Sequence, residues 1–360
     1  HGSKVLHVAF DPSGRRLVTT STDGAGRVWE LPSGRLAGEP LRHRRVVFNA
    51  SFSPDGQILV TCAEDFTAQL WSADTLQAIG PPLRHGGDVR AAAFRPDGRI
   101  VATAGIDNTV RLWSIPDGKP YGDALRHSNW VSYVAFSPDG KLLASCGSEK
   151  GARVWKLSQT YRTNEAPPFI FLPHEGHVRS VQFDGEGARV VTASEDKTAR
   201  IWNAQTGAAL ARPLHHAEGL VSASFSPNGQ FVLTASHDGT ARVWHSASGH
   251  SATDPLRHEE IVTSAIWSPR GNFVVTGSYD RTVRIWPLDF LSAEAIPWWL
   301  PELAEAVGGK RQIGDHLHTP VPPEDFLRLR ELLLTRIESE PLGGWLEGFF
   351  AQGLNAGADR

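Results

Sequence analysis

Methionine is absent from the 360 residues, and cysteine occurs only twice, at Cys62 and Cys146. The chain opens on His1 rather than on methionine, which reads as a piece of a longer protein. No apolar run approaches the length of a membrane span, and no signal peptide is visible, so membrane insertion is not expected. Lys and Arg total 36 against 39 Asp and Glu, a net charge of −3, which leaves no basic surplus to hold nucleic acid. Catalytic signatures are missing too. The chain has no GxSxG, Walker A, kinase loop or deaminase frame. Neither HExxH nor CxxC frames histidines such as His215, His245, His250, His316 and His318 for a metal. The expectation is a protein with no catalytic residues, no cofactor and no metal. Its 40% apolar and 21% charged content is that of a soluble protein able to bury a large core.

What the sequence does contain is a repeat. The stretch 216–244, HAEGLVSASFSPNGQFVLTASHDGTARVW, finds itself six more times. Its closing tryptophan recurs at Trp29, Trp71, Trp113, Trp155, Trp202, Trp244 and Trp286, at intervals of 42, 42, 42, 47, 42 and 42 residues. A histidine keeps the same interval at His1, His43, His85, His127, His174, His216 and His258. So does a turn ending in glycine, from DPSG at 11–14 through SPDG at 53–56 to SPRG at 268–271. Such a period marks a propeller or a solenoid.

Within one copy, VSASF and QFVLTAS are short runs rich in β-branched and aromatic residues, divided by Ser-Pro-Asn-Gly. HDGT makes the next turn and ARVW a third strand; a fourth lies between each Trp and the next His. Four strands without a helix make a blade, and seven blades make an all-β, seven-bladed propeller over residues 1–288. Cys62 and Cys146 fall at equivalent sites of the second and fourth copies. A whole blade between them excludes a disulfide and fits a reducing, cytoplasmic compartment.

These in-register motifs resemble WD40 repeats. PLRH at 40–43, 82–85 and 255–258, with ALRH at 124–127, is similar to the long bacterial WD40 arrays often fused to serine/threonine kinases. The resemblance implies a β-propeller that binds proteins or peptides, as a monomeric propeller or as part of a larger multidomain chain.

Four periodic polar residues per copy are expected to meet in one buried network: His, a Ser in the second strand, the Asp of the following turn, and Trp. The sets are complete as His1, Ser21, Asp23, Trp29; His174, Ser194, Asp196, Trp202; His216, Ser236, Asp238, Trp244; and His258, Ser278, Asp280, Trp286. An unpaired buried polar atom costs about 1–3 kcal/mol, which gives the repetition a structural purpose. Repetition also argues against a catalytic triad, because chemistry needs one site. Ala63 and Gly105 replace the hydroxyl in the second and third copies, and Gly147 and Glu149 replace Ser and Asp in the fourth. The fourth blade is therefore expected to be held more loosely.

After Leu288 the register is lost. Three short helices are expected at 297–309, 322–339 and 342–354, making residues 289–360 a helical extension packed on the propeller rim. RQIGDHLHTPV (311–321) is the expected donor of the fourth strand of blade seven, which lacks an LRH-ending segment. The five extra residues within 156–174 read as an extended, exposed loop near Pro167 and Pro168.

Function is expected where side chains escape blade packing, on the rim and channel mouth beside the His–Asp turns. The partner-binding candidates are Phe48, Glu64, Asp88, Arg90, Trp130, His177, Arg179, Glu195, His237 and Tyr279. Aromatics and Arg dominate interface energetics, so a protein or peptide seated there is expected. The alternative is a small molecule or ion at the mouth of the central channel.

Overall fold

The computed structural model describes residues 1–31, 33–157, 167–288, 310–313 and 317–320. Seven antiparallel sheets follow one another along 1–288, each built outward in chain order. Blade six has Leu220–Phe225 innermost, then Phe231–Ser236, Thr240–His245 and the short outer strand Leu256–Arg257. The turn between its first two strands must end in a residue with positive φ, and Gly229 supplies φ 67. The Ser226 hydroxyl closes the same turn by accepting the Phe231 N–H at 3.0 Å.

A blade is covered on both faces, so its second strand is buried along its whole length: all six residues of Phe231–Ser236 are buried. Val232 and Trp244 pack toward blade five with Ile201 and Leu214. Leu233 and Val243 pack toward blade seven with Ala265 and Val274. Full burial of each Val or Leu is worth roughly 1.5–3 kcal/mol, and the pattern recurs at every junction from blade one to blade seven.

Two arginines add staples between blades. Arg189 of blade five donates to Asp184 at 2.7 Å, and reaches blade six at the Gly229 carbonyl (2.7 Å) and the Ser246 hydroxyl (3.0 Å). Its guanidinium also lies 4.9 Å from the Phe225 ring. Arg16 repeats the device from blade one to the Gly56 and Ala73 carbonyls of blade two. Arg189→Ala is expected to destabilise the protein by about 2 kcal/mol, since buried Asp184 loses its cation. The exposed Arg35→Ala should change stability by less than about 0.5 kcal/mol; urea titration of the pair checks both.

The first strands pack on one another in succession from blade one to blade seven, but those of blades seven and one do not meet in the same way. Blade seven carries three described strands, Val262–Trp267, Phe273–Ser278 and Val283–Pro287. Its Val283 and Ile285 are only half-buried, whereas Ala241 and Val243, their equivalents in blade six, are fully covered. The expected strand donor does not fill this edge. Lys310–Ile313 and Leu317–Pro320 pair with each other as a separate two-stranded sheet. Strands so close in sequence meet with far less loop-closure entropy than a return to blade seven requires. The helices expected at 297–309, 322–339 and 342–354 lie outside the described residues, as do 158–166 of the stretch 156–174; of the two prolines expected to be exposed there, Pro168 is exposed and Pro167 is buried.

Candidate functional site: the His–Asp face

The network expected from the sequence exists in every blade, but its hydroxyl comes from a different residue. Trp202 Nε1–H donates at 2.9 Å to Thr192, not to Ser194. Thr192 lies 2.7 Å from His174 Nε2, and His174 Nδ1 lies 2.7 Å from Asp196. The same Trp donation reaches Thr19, Thr61, Thr103, Ser145, Thr234 and Thr276 at 2.8 Å. Ladder register explains the choice. Trp202 sits opposite Val190, so its ring leans diagonally onto Thr192, while Ser194 is four residues from Val190, at the strand end. Ser21, Ser194, Ser236 and Ser278 instead accept the backbone N–H of Asp23, Asp196, Asp238 and Asp280 at 3.1–3.2 Å, shaping the turn.

This corrects the reading of the incomplete sets. Thr61 and Thr103 complete blades two and three, so Ala63 and Gly105 cost the network nothing. A Cβ added at Gly105 would lie 2.7 Å from His85 Nδ1, so in blade three the backbone and imidazole sit closer than at Ala63 or the four serines that hold the equivalent position. In blade four Ser145 joins His127 to Trp155, and Glu149 reaches His127 Nδ1 at 2.9 Å while pairing with Arg153. Gly147 is there because any Cβ would run into the Trp130 carbonyl. The premise of a looser fourth blade does not hold.

The carboxylates accept more than the imidazole. Asp238 also takes the Ala217 and Thr240 N–H groups and the Thr240 hydroxyl. Burial raises its pKa, but the bonds from His216, Thr240 and Ala217 more than reverse this and hold it well below the usual carboxylate range. Asp107 and Asp196 behave alike. In Asp280 and Glu149 the same opposition ends at about 2. Burial lowers His43, His127 and His258, against the pull of their carboxylates. In His43, His127 and His258 the proton of the neutral ring belongs on Nδ1, since the facing carboxylate only accepts. With Nε2 facing a hydroxyl, neither nitrogen offers a free lone pair to a metal.

These bonds freeze the turns that carry the exposed residues above them. The structure gathers seven of the ten candidates into two clusters. Arg90 lies 4.0 Å over the Phe48 ring and donates to Asp88 at 3.0 Å, bridging blades two and three. Trp130 meets the His177 ring at 6.5 Å, His177 Nδ1 lies 3.3 Å from Glu195, and Glu195 pairs with Arg179, bridging blades four and five. Glu64 pairs with Arg45 at 3.8 Å. His237 and Tyr279 are exposed and join neither cluster.

Of nine large apolar side chains exposed among the described residues, five stand on this face: Leu6, Phe66, Ile106, Trp130 and Tyr279. The other four, Leu36, Phe169, Phe171 and Leu210, belong to the outer edges of blades. Phe66 is not among the candidates read from the sequence. It holds φ 68, a conformation taken at equivalent turns by Gly24, Asn108, Lys197, Gly239 and Arg281. A bulky residue pays roughly 1–3 kcal/mol there. The signal lay in the sequence as an aromatic where its counterparts are glycine or polar.

Comparison with known proteins agrees with this geometry. The family described as "WD domain, G-beta repeat" matches residues 1–30, 39–72, 82–114, 119–156, 167–203, 210–245 and 252–287. No curated protein matches. Among solved structures, the crystal structure of the computationally designed Ika8 protein superposes with a TM-score of 0.71 at 26% identity, covering 80% of this chain and 85% of that one.

Proposed function

The chain belongs to the WD40 family, and from that premise we propose that it is a non-catalytic scaffold that binds a protein or peptide on its His–Asp face. The observation that carries this reading is the concentration of exposed aromatic and apolar side chains there, beside Arg90 and Arg179, on turns fixed by buried hydrogen bonds. Rigid aromatic and Arg anchors are the residues that form interface hot spots. The PLRH repeats support a place beside the long bacterial arrays fused to kinases, and the two buried, unpaired thiols support a cytoplasmic setting.

The test is affinity capture from the source cells, followed by titration of the captured partner against wild type, Trp130→Ala and Arg179→Ala. Each substitution is expected to weaken binding about 30-fold, the equivalent of about 2 kcal/mol, with the melting temperature unchanged. Unfolding of either variant, or binding that is indifferent to both, would remove this face from the function.

A further inference from the structure

We infer that the outer strand of blade four, Phe169–Pro173, is a self-pairing edge through which two copies of this chain join their propellers in one continuous sheet. It differs from the other outer strands. Its ladder with Gly151–Lys156 runs unbroken through five residue pairs, from Trp155 with Phe169 to Gly151 with Pro173. The outer strands of blades three, five and six are two residues long, and that of blade one is split in two. Blade two has a longer one, Ala78–Arg84, but a register shift and Pro81 and Pro82 interrupt it. Short, kinked or proline-bearing edges resist pairing; a long regular one invites it.

The hydrogen-bond phase shows which groups are offered. The Lys156 N–H donates to the Pro168 carbonyl at 3.0 Å, and the His174 N–H to the Lys150 carbonyl at 3.1 Å. Alternation then turns Ile170 and Leu172 inward and leaves the backbone N–H and C=O of Phe169 and Phe171, with the Pro173 C=O, facing outward. Both phenyl rings are on one face and exposed, at 44% and 41%. Arg153 stacks on Phe169 at 4.4 Å and Trp155 meets it at 4.8 Å, so that ring is held in place before any partner arrives.

The occupant that fits is a second copy. About Phe171 the segment sets Ile170 against Leu172 and Phe169 against Pro173, so it is apolar on both sides of the axis although the sequence itself is not palindromic. Antiparallel about a two-fold axis, the two Phe171 backbones exchange both hydrogen bonds, and each Phe169 N–H meets the C=O of the partner's Pro173. The proline, which has no N–H to give, falls where it loses least. No charged side chain lies in the five residues, so the axis brings no like charges together. The contact is small against the roughly 1,200–2,000 Å² of a standard interface, so the dimer should be weak and concentration-dependent, in place of the monomer the sequence suggests.

Cysteine cross-linking of the full chain tests both the edge and its register. Hydrogen-bonded antiparallel partners have Cα atoms about 5.5 Å apart, within disulfide reach. Phe171→Cys should therefore form a covalent dimer under mild oxidation. Phe169→Cys should not, because its counterpart lies about 13 Å further along the strand. Buried Cys62 and Cys146 do not interfere. Sedimentation velocity should show the wild type dimerising as concentration rises into the hundreds of micromolar, and Phe171→Lys remaining monomeric. A wild type that stays monomeric throughout, or a Phe169→Cys that cross-links as readily as Phe171→Cys, would overturn the proposal.

Discussion

Thr192→Val is expected to destabilise the protein by about 2–5 kcal/mol, while Ser194→Ala, two residues away, should cost about 1 kcal/mol or less. Valine keeps the shape of threonine and removes only the hydroxyl. That hydroxyl accepts the Trp202 Nε1–H and faces His174 Nε2, and both rings are buried, so one substitution strands two polar groups. Each stranded group costs about 1–3 kcal/mol, which for a chain of this size lowers the melting temperature by several degrees at least. Ser194 gives up a single acceptor for the Asp196 N–H at 3.1 Å, and the turn is also held by Asp196 itself through the Thr198 N–H and hydroxyl. Calorimetry of the two variants decides the matter. Equal losses, or a larger one at Ser194, would return the network to the residue that proximity to the turn suggests.

The contrast shows what was legible. Trp and His are legible because each is rare enough for its interval to stand out, and Asp because it holds the same place in a glycine- or polar-rich turn of six blades, with Glu149 in the fourth. The threonine keeps the same interval, at Thr19, Thr61, Thr103, Thr192, Thr234 and Thr276, with Ser145 in blade four. It stays inconspicuous because a β-branched residue in a strand needs no further reason to be there. Ser194 stands out by lying next to the Asp turn. Choosing between them requires the ladder register, which sets Trp202 opposite Val190. The Arg189 staple could not be read in advance, because it joins residues 40 and 57 positions apart that meet only when blades stack. On the His–Asp face the local pairs Asp88–Arg90 and Arg179–Glu195 follow from spacing, whereas the stacking of Arg90 on Phe48 needs two blades at their final separation.

Acid is expected to unfold the protein in two stages, and the stages belong to different residues. His7 comes first. Its Nδ1 is buried without a partner, as is the hydroxyl of Thr20, its neighbour across the ladder. Burial lowers its pKa from 6.5 to about 4, so the folded chain keeps it neutral while the unfolded chain takes up a proton. Stability is lost as pH falls from 6.5 toward 4, up to roughly 3 kcal/mol at 1.36 kcal/mol per pKa unit, with His43, His127 and His258 adding in the same direction. The carboxylates act lower. Asp107, Asp196, Asp238, Asp280 and Glu149 are all more acidic in the fold than in the open chain, so their stabilisation is complete above about pH 4.5 and disappears as pH falls through the folded values. A protonated Asp238 cannot accept from His216, Ala217 and Thr240 together, and the same failure in neighbouring blades makes the second stage steep. Urea titrations from pH 7 to pH 3 should show a gentle decline followed by collapse below about pH 4, with the gentle part reduced in His7→Leu. Stability that is flat down to pH 4.5 would mean that the buried imidazole finds a proton-tolerant partner, and a shallow second stage would mean that the blades lose their networks one at a time.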